Sequence, residues 1–240
     1  MVLGSDKARL SKRHGAMSVD EYRKMGYLPD AVINYLVRLG WSHGDQEFFT
    51  RTELIEKFDL EHLGRSAAMF DMKKMTALNA KHIQAKPASE LAPSLLPLLR
   101  EQKIDAADDR FTHMVIETLQ PRSKTLVEMA DAARFYYVET PEMDEKAAKK
   151  FLTPETAAVL SRTADAIEAL PDFTQQALEK ILQEIMAEFE LGFGKLAQPL
   201  RVAITGTTVS PGIFEMLLAL GKGRTVQRIR RALSLIDSQC

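Results

Sequence analysis

The chain has 240 residues, 45% hydrophobic and 27% charged, a globular composition with material for a sizeable core that excludes collagenous, low-complexity and disordered classes. Thirty-two Lys and Arg against 33 Asp and Glu leave a formal net charge of −1, so total charge points to no polyanionic partner. One cysteine, Cys240, excludes a disulfide framework and a cysteine-ligated zinc site, and no run approaches the roughly 18–20 apolar residues of a membrane span.

Helix signals then recur along the chain. Ser18 and Glu21 have capping-box spacing, opening a short helix that Gly26 closes. Pro29 and Asp30 open an apolar helix over 31–39, with Gly40 just past its end. Thr50 and Glu53 form a second capping box, followed by Leu54, Ile55 and Phe58 on one face. Phe111, Met114, Val115, Thr118 and Leu119 follow helical spacing up to a break at Pro121. Thr153 and Pro154 start a helix towards Leu170, and Thr174 starts one over 174–191 with Ala177, Leu178, Ile181, Leu182, Ile185, Met186 and Phe189 as a continuous apolar stripe. Ser210 and Pro211 start another that stops near Gly221, and Val226, Ile229 and Leu233 line the last.

Alternating strand pairs with a hairpin turn are absent, so the expected class is all-α, built as stacked small helix bundles. Breaks at Lys86-Pro87 and Thr140-Pro141 divide it into three sections, 1–86, 87–141 and 142–240.

Charge is unevenly spread. Basic residues crowd the first 24 positions, and Lys222, Arg224, Arg228, Arg230 and Arg231 run without an acid until Asp237. Between Glu139 and Glu190 lie twelve carboxylates and five basic side chains. Two basic ends around an acidic middle suit either a polyanion held at separate points or solvated helix faces, and for Arg224, Arg228 and Arg231 solvation is the expectation.

Conventional catalytic constellations are scarce. His14, His43, His62, His82 and His113 have no metal-ligand spacing and are expected to be structural or exposed, so no metal is assigned. The run Gly221, Lys222, Gly223, Arg224, Thr225 has phosphate-loop residues without the GxxxxGK[ST] spacing and is expected to be a turn between two helices. Met69, Met72 and Met75, and likewise Trp41, are expected to pack in the core. A short basic segment, Arg9-Leu10-Ser11-Lys12-Arg13-His14-Gly15, precedes the first capped helix. A loop of that composition can place an ammonium among phosphate oxygens.

That segment resembles the KMSKS loop of class I aminoacyl-tRNA synthetases in its glutamyl form. The rest of the chain agrees: Tyr27-Leu28-Pro29, the run from Asn34 to Trp41, Ser42-His43-Gly44-Asp45, the Leu-Gln-Pro-Arg sequence ending at Arg122, Gln198-Pro199-Leu200-Arg201, Thr205-Gly206, Ser210 to Phe214 and Leu220-Gly221-Lys222 all resemble bacterial glutamyl-tRNA synthetases. The resemblance implies a fragment of a glutamate–tRNA ligase, since the HIGH motif of the catalytic nucleotide fold is not in the chain. Such a fragment is expected to be inactive alone. It also assigns 1–86 to the stem-contact region and 87–141 and 142–240 to two helical anticodon-binding sections.

Residue roles follow where motifs match. Lys12, flanked by Arg9, Leu10, Ser11 and Arg13, takes the position that stabilises the ATP phosphates during adenylate formation; Arg9 replaces the motif's first lysine. Arg122 matches the arginine that reads the third anticodon base, and Arg201, Ser210, Pro211 and Ile213 fall where the family contacts the other anticodon bases. The expected partner is the glutamate tRNA. ATP, with magnesium, is expected only in the parent enzyme, together with glutamate. The expected location is cytoplasmic, the expected state monomeric, and no membrane is involved. The competing reading is a stand-alone helical RNA-binding or scaffold module without a catalytic domain.

Overall fold

The described residues of the computed structural model, 1–4, 7–10, 17–64 and 66–238, form thirteen helices and one parallel strand pair, β1 (Val2–Leu3) with β2 (Ala68–Met69). The all-α class holds. The strand pair was not expected, because two residues are too few to display a period of two. The chain divides into two compact units, one of Met1–Asp108 with Leu119–Asp131 and one of Asp109–Thr118 with Ala132–Cys240.

In the first unit both capping boxes form. Ser18 Oγ accepts from the Glu21 amide at 3.3 Å at the start of α1 (Val19–Lys24). After α2 (Pro29–Arg38), Thr50 Oγ1 accepts from the Glu53 amide at 3.2 Å at the start of α3 (Arg51–Lys57). The Glu53 carboxylate in turn accepts from the Thr50 amide and from Gln46 Nε2, which holds its pKa down at about 2. The apolar face expected on α3 is narrower than its sequence suggests: Leu54 is buried, but Ile55 is 77% exposed and Phe58 42%. Ile55 faces away from the core, whereas Phe58, just past the helix end, still meets it: its ring centroid lies 5.7 Å from that of buried Trp41.

Two further helices, α4 (Met72–Ala85) and α5 (Ala88–Glu101), are separated only by Lys86 and Pro87. Pro93 and Pro97 lie inside α5 without ending it. Both are exposed, while Leu91, Leu95 and Leu99 face the core, so the carbonyls deprived of a donor point towards water. That placement explains why proline punctuation concealed this helix in the sequence.

The core between α2 and α4 is aromatic: Tyr22, Tyr27 and Tyr35 pack with Val32, Met75 and Leu78. Met75 and Trp41 are buried as expected, while Met69 is half exposed. Two fully buried asparagines cross-link the unit. Asn34 Oδ1 accepts from the Phe49 amide at 2.9 Å and from His82 Nε2 at 3.0 Å, and Asn79 Oδ1 accepts from the Leu28 amide at 2.8 Å. Burial depresses the His82 pKa to about 4, so it is neutral at pH 7 and serves as a structural donor.

The helices α6 (Arg110–Leu119) and α7 (Leu126–Tyr137) contribute residues to both units. The second unit continues through α8 (Glu145–Phe151), α9 (Pro154–Ala169), α10 (Gln175–Glu188), α11 (Phe193–Thr205), α12 (Ile213–Leu220) and α13 (Lys222–Asp237). α9 packs on α10 and α13, and α13 also packs on α11 and α12. Buried Leu160, Leu182, Leu200, Leu217 and Ile229 are the centre of that packing. Gly223, Arg224 and Thr225 lie in the first turn of α13 rather than in a turn between helices; Gly221 alone, at φ +79°, makes the change of direction.

Candidate nucleic-acid interface

The N-terminal basic segment is described only at its base. Gly4 N donates to Ala8 O at 2.9 Å and Leu10 N to Val2 O at 2.9 Å, folding the chain back so that Arg9 is exposed and Leu10 half-buried. Ser11, Lys12 and Arg13, together with His14, lie outside the described residues, as does Cys240.

Arg122 stands on a well-anchored loop between α6 and α7. Its own amide donates to Leu119 O at 3.0 Å, its side chain is exposed, and the loop beneath it is tied to the C-terminal end of α4 and to neighbouring turns. Gln120 Nε2 donates to the carbonyls of Ile83 and Lys86, each at 2.6 Å. Gln84 Nε2 returns a bond to Pro121 O at 3.2 Å. Ser123 Oγ donates to Leu119 O at 2.9 Å, Asn79 Nδ2 to Lys124 O at 2.6 Å, and the Leu126 amide to Gly26 O at 2.9 Å. Gly26 is required there, because at φ +79° a Cβ would lie 2.5 Å from the Val127 amide nitrogen. The backbone around Arg122 is thus fixed by hydrogen bonds from side chains of the same unit. The motif showed Arg122 itself; that Gln84 and Asn79 support it had no signal in the sequence.

In the second unit, Arg201 on α11 reaches the loop that follows it, and its Nε donates to Ser210 Oγ at 2.8 Å. Ser210 Oγ donates onward to Pro211 O at 2.9 Å. The loop is built from its own side chains: Thr205 Oγ1 donates to Arg201 O at 2.9 Å and accepts from the Thr207 amide at 3.2 Å. Gly206, at φ +79°, ends α11 and lies against the Glu142 backbone so closely that a Cβ would come within 1.9 Å of Glu142 O. The Asp144 amide donates to Gly206 O at 2.9 Å, tying the loop to the start of α8. Of the positions expected to meet bases here, Arg201 and Ser210 are half-buried and joined to each other. Pro211 and Ile213 are buried, Ile213 in the first turn of α12. Val209, which the sequence did not single out, is 83% exposed.

Of the C-terminal arginines expected on a solvated face, Arg224 and Arg231 are exposed, but Arg228 is not. Arg228 is 3% exposed, with its guanidinium donating to Ile204 O at 2.9 Å, Phe135 O at 2.7 Å and Val138 O at 2.6 Å. Burial, with Arg224 beside it, lowers its pKa to about 10, so it remains charged at neutral pH. Arg224 donates to Tyr136 O at 3.2 Å and lies over the Phe111 ring at 5.1 Å, and Arg230 pairs with Asp165 and Glu168. Lys222 Nζ donates to Leu170 O at 2.7 Å. Helix period alone could not reveal this, because carbonyls at the ends of other helices are invisible in the spacing of the arginines. Among the described residues, no helix is long and apolar enough to cross a membrane.

Residues 67–233 match the family model described as an anticodon binding domain, and the chain belongs to that family. Residues 1–77 match the model of the catalytic domain of class I tRNA synthetases for E and Q, so part of that domain's family pattern is present although the HIGH motif is not. Its relatives are glutamate–tRNA ligases. The one from Desulfosudis oleivorans is 53% identical over 98% of this chain, and the one from Syntrophobacter fumaroxidans is 50% identical over 100% of it. The chain spans about half the length of these relatives, 50% and 51% respectively. The crystal structure of a glutamate tRNA ligase from Elizabethkingia meningosepticum, in complex with its amino acid, superimposes with a TM-score of 0.85 at 27% identity, over 98% of this chain and 50% of that one.

Proposed function

We propose that the chain is the tRNA-binding, C-terminal portion of a glutamate–tRNA ligase whose parent enzyme activates glutamate with ATP and transfers it to its tRNA. Residues 1–86 would contact the tRNA stem, and 87–141 and 142–240 would read the anticodon. The observation that carries the reading is the mounting of Arg122: an exposed guanidinium on a loop whose backbone is fixed by Gln120, Ser123 and Asn79. A base reader needs that combination, because the planar fork pairs with a base edge only if its attachment point is held in place. Arg201 and Ser210 would serve the remaining anticodon bases, with Pro211 and Ile213 shaping the loop from beneath.

ATP and its magnesium belong, in this proposal, to the parent enzyme. Lys12 would neutralise phosphate charge there. Of the segment assigned to the phosphates only Arg9 and Leu10 are among the described residues, and one exposed guanidinium does not make a triphosphate site.

Two measurements test the proposal. Titration of the chain with the glutamate tRNA, the glutamine tRNA and an unrelated tRNA, at two salt concentrations, should show tightest binding to the glutamate tRNA at both. Equal affinity for all three would leave only non-specific RNA binding. In pyrophosphate exchange with glutamate, ATP and tRNA, the 240 residues alone should give no signal above background. Exchange activity that co-purifies with the chain would contradict the assignment as a tRNA-binding portion.

A further inference from the structure

Four cations of α13 are engaged by their own unit. Lys222, Arg224, Arg228 and Arg230 are turned onto carbonyls, a ring or carboxylates of the unit itself. Lys146, Lys149 and Lys150 are different: three of the five basic side chains between Glu139 and Glu190 fall within one helical turn and a half, on α8. All three are exposed, and none has a carboxylate within ion-pair distance among the described residues.

Lys146 and Lys150 stand four residues apart, on one face of α8, and both line an open hollow of about 470 Å³. Its other walls are Gln198 on α11, Thr208 in the loop after α11, and Phe151. Gln198 lies one turn before Arg201, and Thr208 two residues before Ser210, so the hollow adjoins the Arg201–Ser210 pair on the same helix and the same loop. The spacing across it is built in. Gly206 lies against the Glu142 backbone and accepts from the Asp144 amide, so α8 and the loop are held together without a ligand. Lys150 Nζ lies 5.2 Å from the centroid of the Phe151 ring, which holds the ammonium near the rim. Asp144 also lines the hollow, but its carboxylate is engaged in capping α8 by accepting from the Ala147 amide at 2.7 Å. Two ammonium groups against one carboxylate leave the hollow with a positive rim inside an otherwise acidic stretch of sequence.

We propose that Lys146 and Lys150 form a phosphodiester-binding site that holds the RNA strand beside the base-reading pair Arg201 and Ser210. This rests on the anticodon reading above, and it adds a backbone contact distinct from the bases. Such a contact fixes the register of the strand and carries no sequence information. The bland explanation for lysines late in α8 is complementarity to the helix dipole, which requires neither that two of them share a face nor that this face borders a hollow.

The test is the salt dependence of tRNA binding by the full chain, for wild type and for the double variant Lys146→Gln with Lys150→Gln. Both side chains are exposed, so the variant should fold, with an unchanged thermal midpoint. Each phosphate contact on a single strand contributes about 0.7 to the slope of log K against log salt, so the slope should become shallower by about 1.4. The ratio of affinities for the glutamate and glutamine tRNAs should not move. The arginine pair Lys146→Arg with Lys150→Arg should restore the slope. If wild type prefers the glutamate tRNA and the glutamine variant keeps the wild-type slope, the phosphate site is overturned while the anticodon reading stands. If wild type shows no preference among tRNAs, the anticodon reading is overturned and this site goes with it.

Discussion

Replacement Arg122→Gln should relax the choice between glutamate and glutamine tRNAs. The two anticodons differ at the third base, cytosine in one and guanine in the other. On its pairing edge cytosine offers two acceptors and guanine two donors, so a guanidinium placed for the first faces like polarity in the second. Leaving polar edges mismatched costs more than losing a contact. A good base-edge pair discriminates by roughly 1–3 kcal/mol, about 5- to 150-fold. The expected result is a fall in affinity for the glutamate tRNA with a smaller fall, or a rise, for the glutamine tRNA. Gln120, Ser123 and Asn79 hold the loop backbone, so the variant should keep its fold. Binding of both tRNAs by the chain, with kcat/KM for both in the full-length enzyme, measures it. An unchanged ratio would demote Arg122 to a phosphate contact or a surface charge.

The largest effect on stability should come from Arg228→Met. The wild-type guanidinium is buried against carbonyls of Ile204 near the end of α11 and of Phe135 and Val138 around the end of α7. Helix C-terminal carbonyls carry partial negative charge and have no intrahelical donors, so a buried cation serves both as counter-charge and as donor. Methionine fills most of the volume but leaves three acceptors bare, one buried and two partly buried, at about 1–3 kcal/mol for the buried one and less for the others before relaxation. A net loss of about 3 kcal/mol is expected, lowering the thermal midpoint by about 6–12 °C. Arg228→Lys keeps the charge and one or two of the bonds, and should lose about half as much. Calorimetry of the three proteins decides it, and a methionine variant as stable as wild type would mean that water replaces the guanidinium at no cost.

These two arginines divide what could be read from what could not. Arg122 stands just past the end of one helix and Arg228 within the last one. Arg122 was assigned through its motif, and the structure puts it in the open on an anchored loop. Arg228 was assigned to a solvated face on the evidence of helical spacing, and it is buried. The difference is long-range: the three carbonyls that receive Arg228 lie 24 to 93 residues away along the chain. Local features fared better because their physics is local. The capping boxes at Ser18 and Thr50 formed because donor and acceptor are three residues apart, and the glycine stop at Gly26 because only glycine takes φ +79° there without clash.

What the amino-acid order determined by itself was therefore the all-α class and the capped helix starts, since propensity, capping and turn chemistry act over one helical turn. Tertiary structure alone decided the rest. It kept α5 helical through Pro93 and Pro97 by turning both outward, brought the loop after α11 against the start of α8 at Gly206, and left Ile55 in solvent while burying Leu54 one position away. The reason in each case is the same: burial and hydrogen-bond satisfaction depend on which surfaces meet, and that is settled by contacts far apart in the chain.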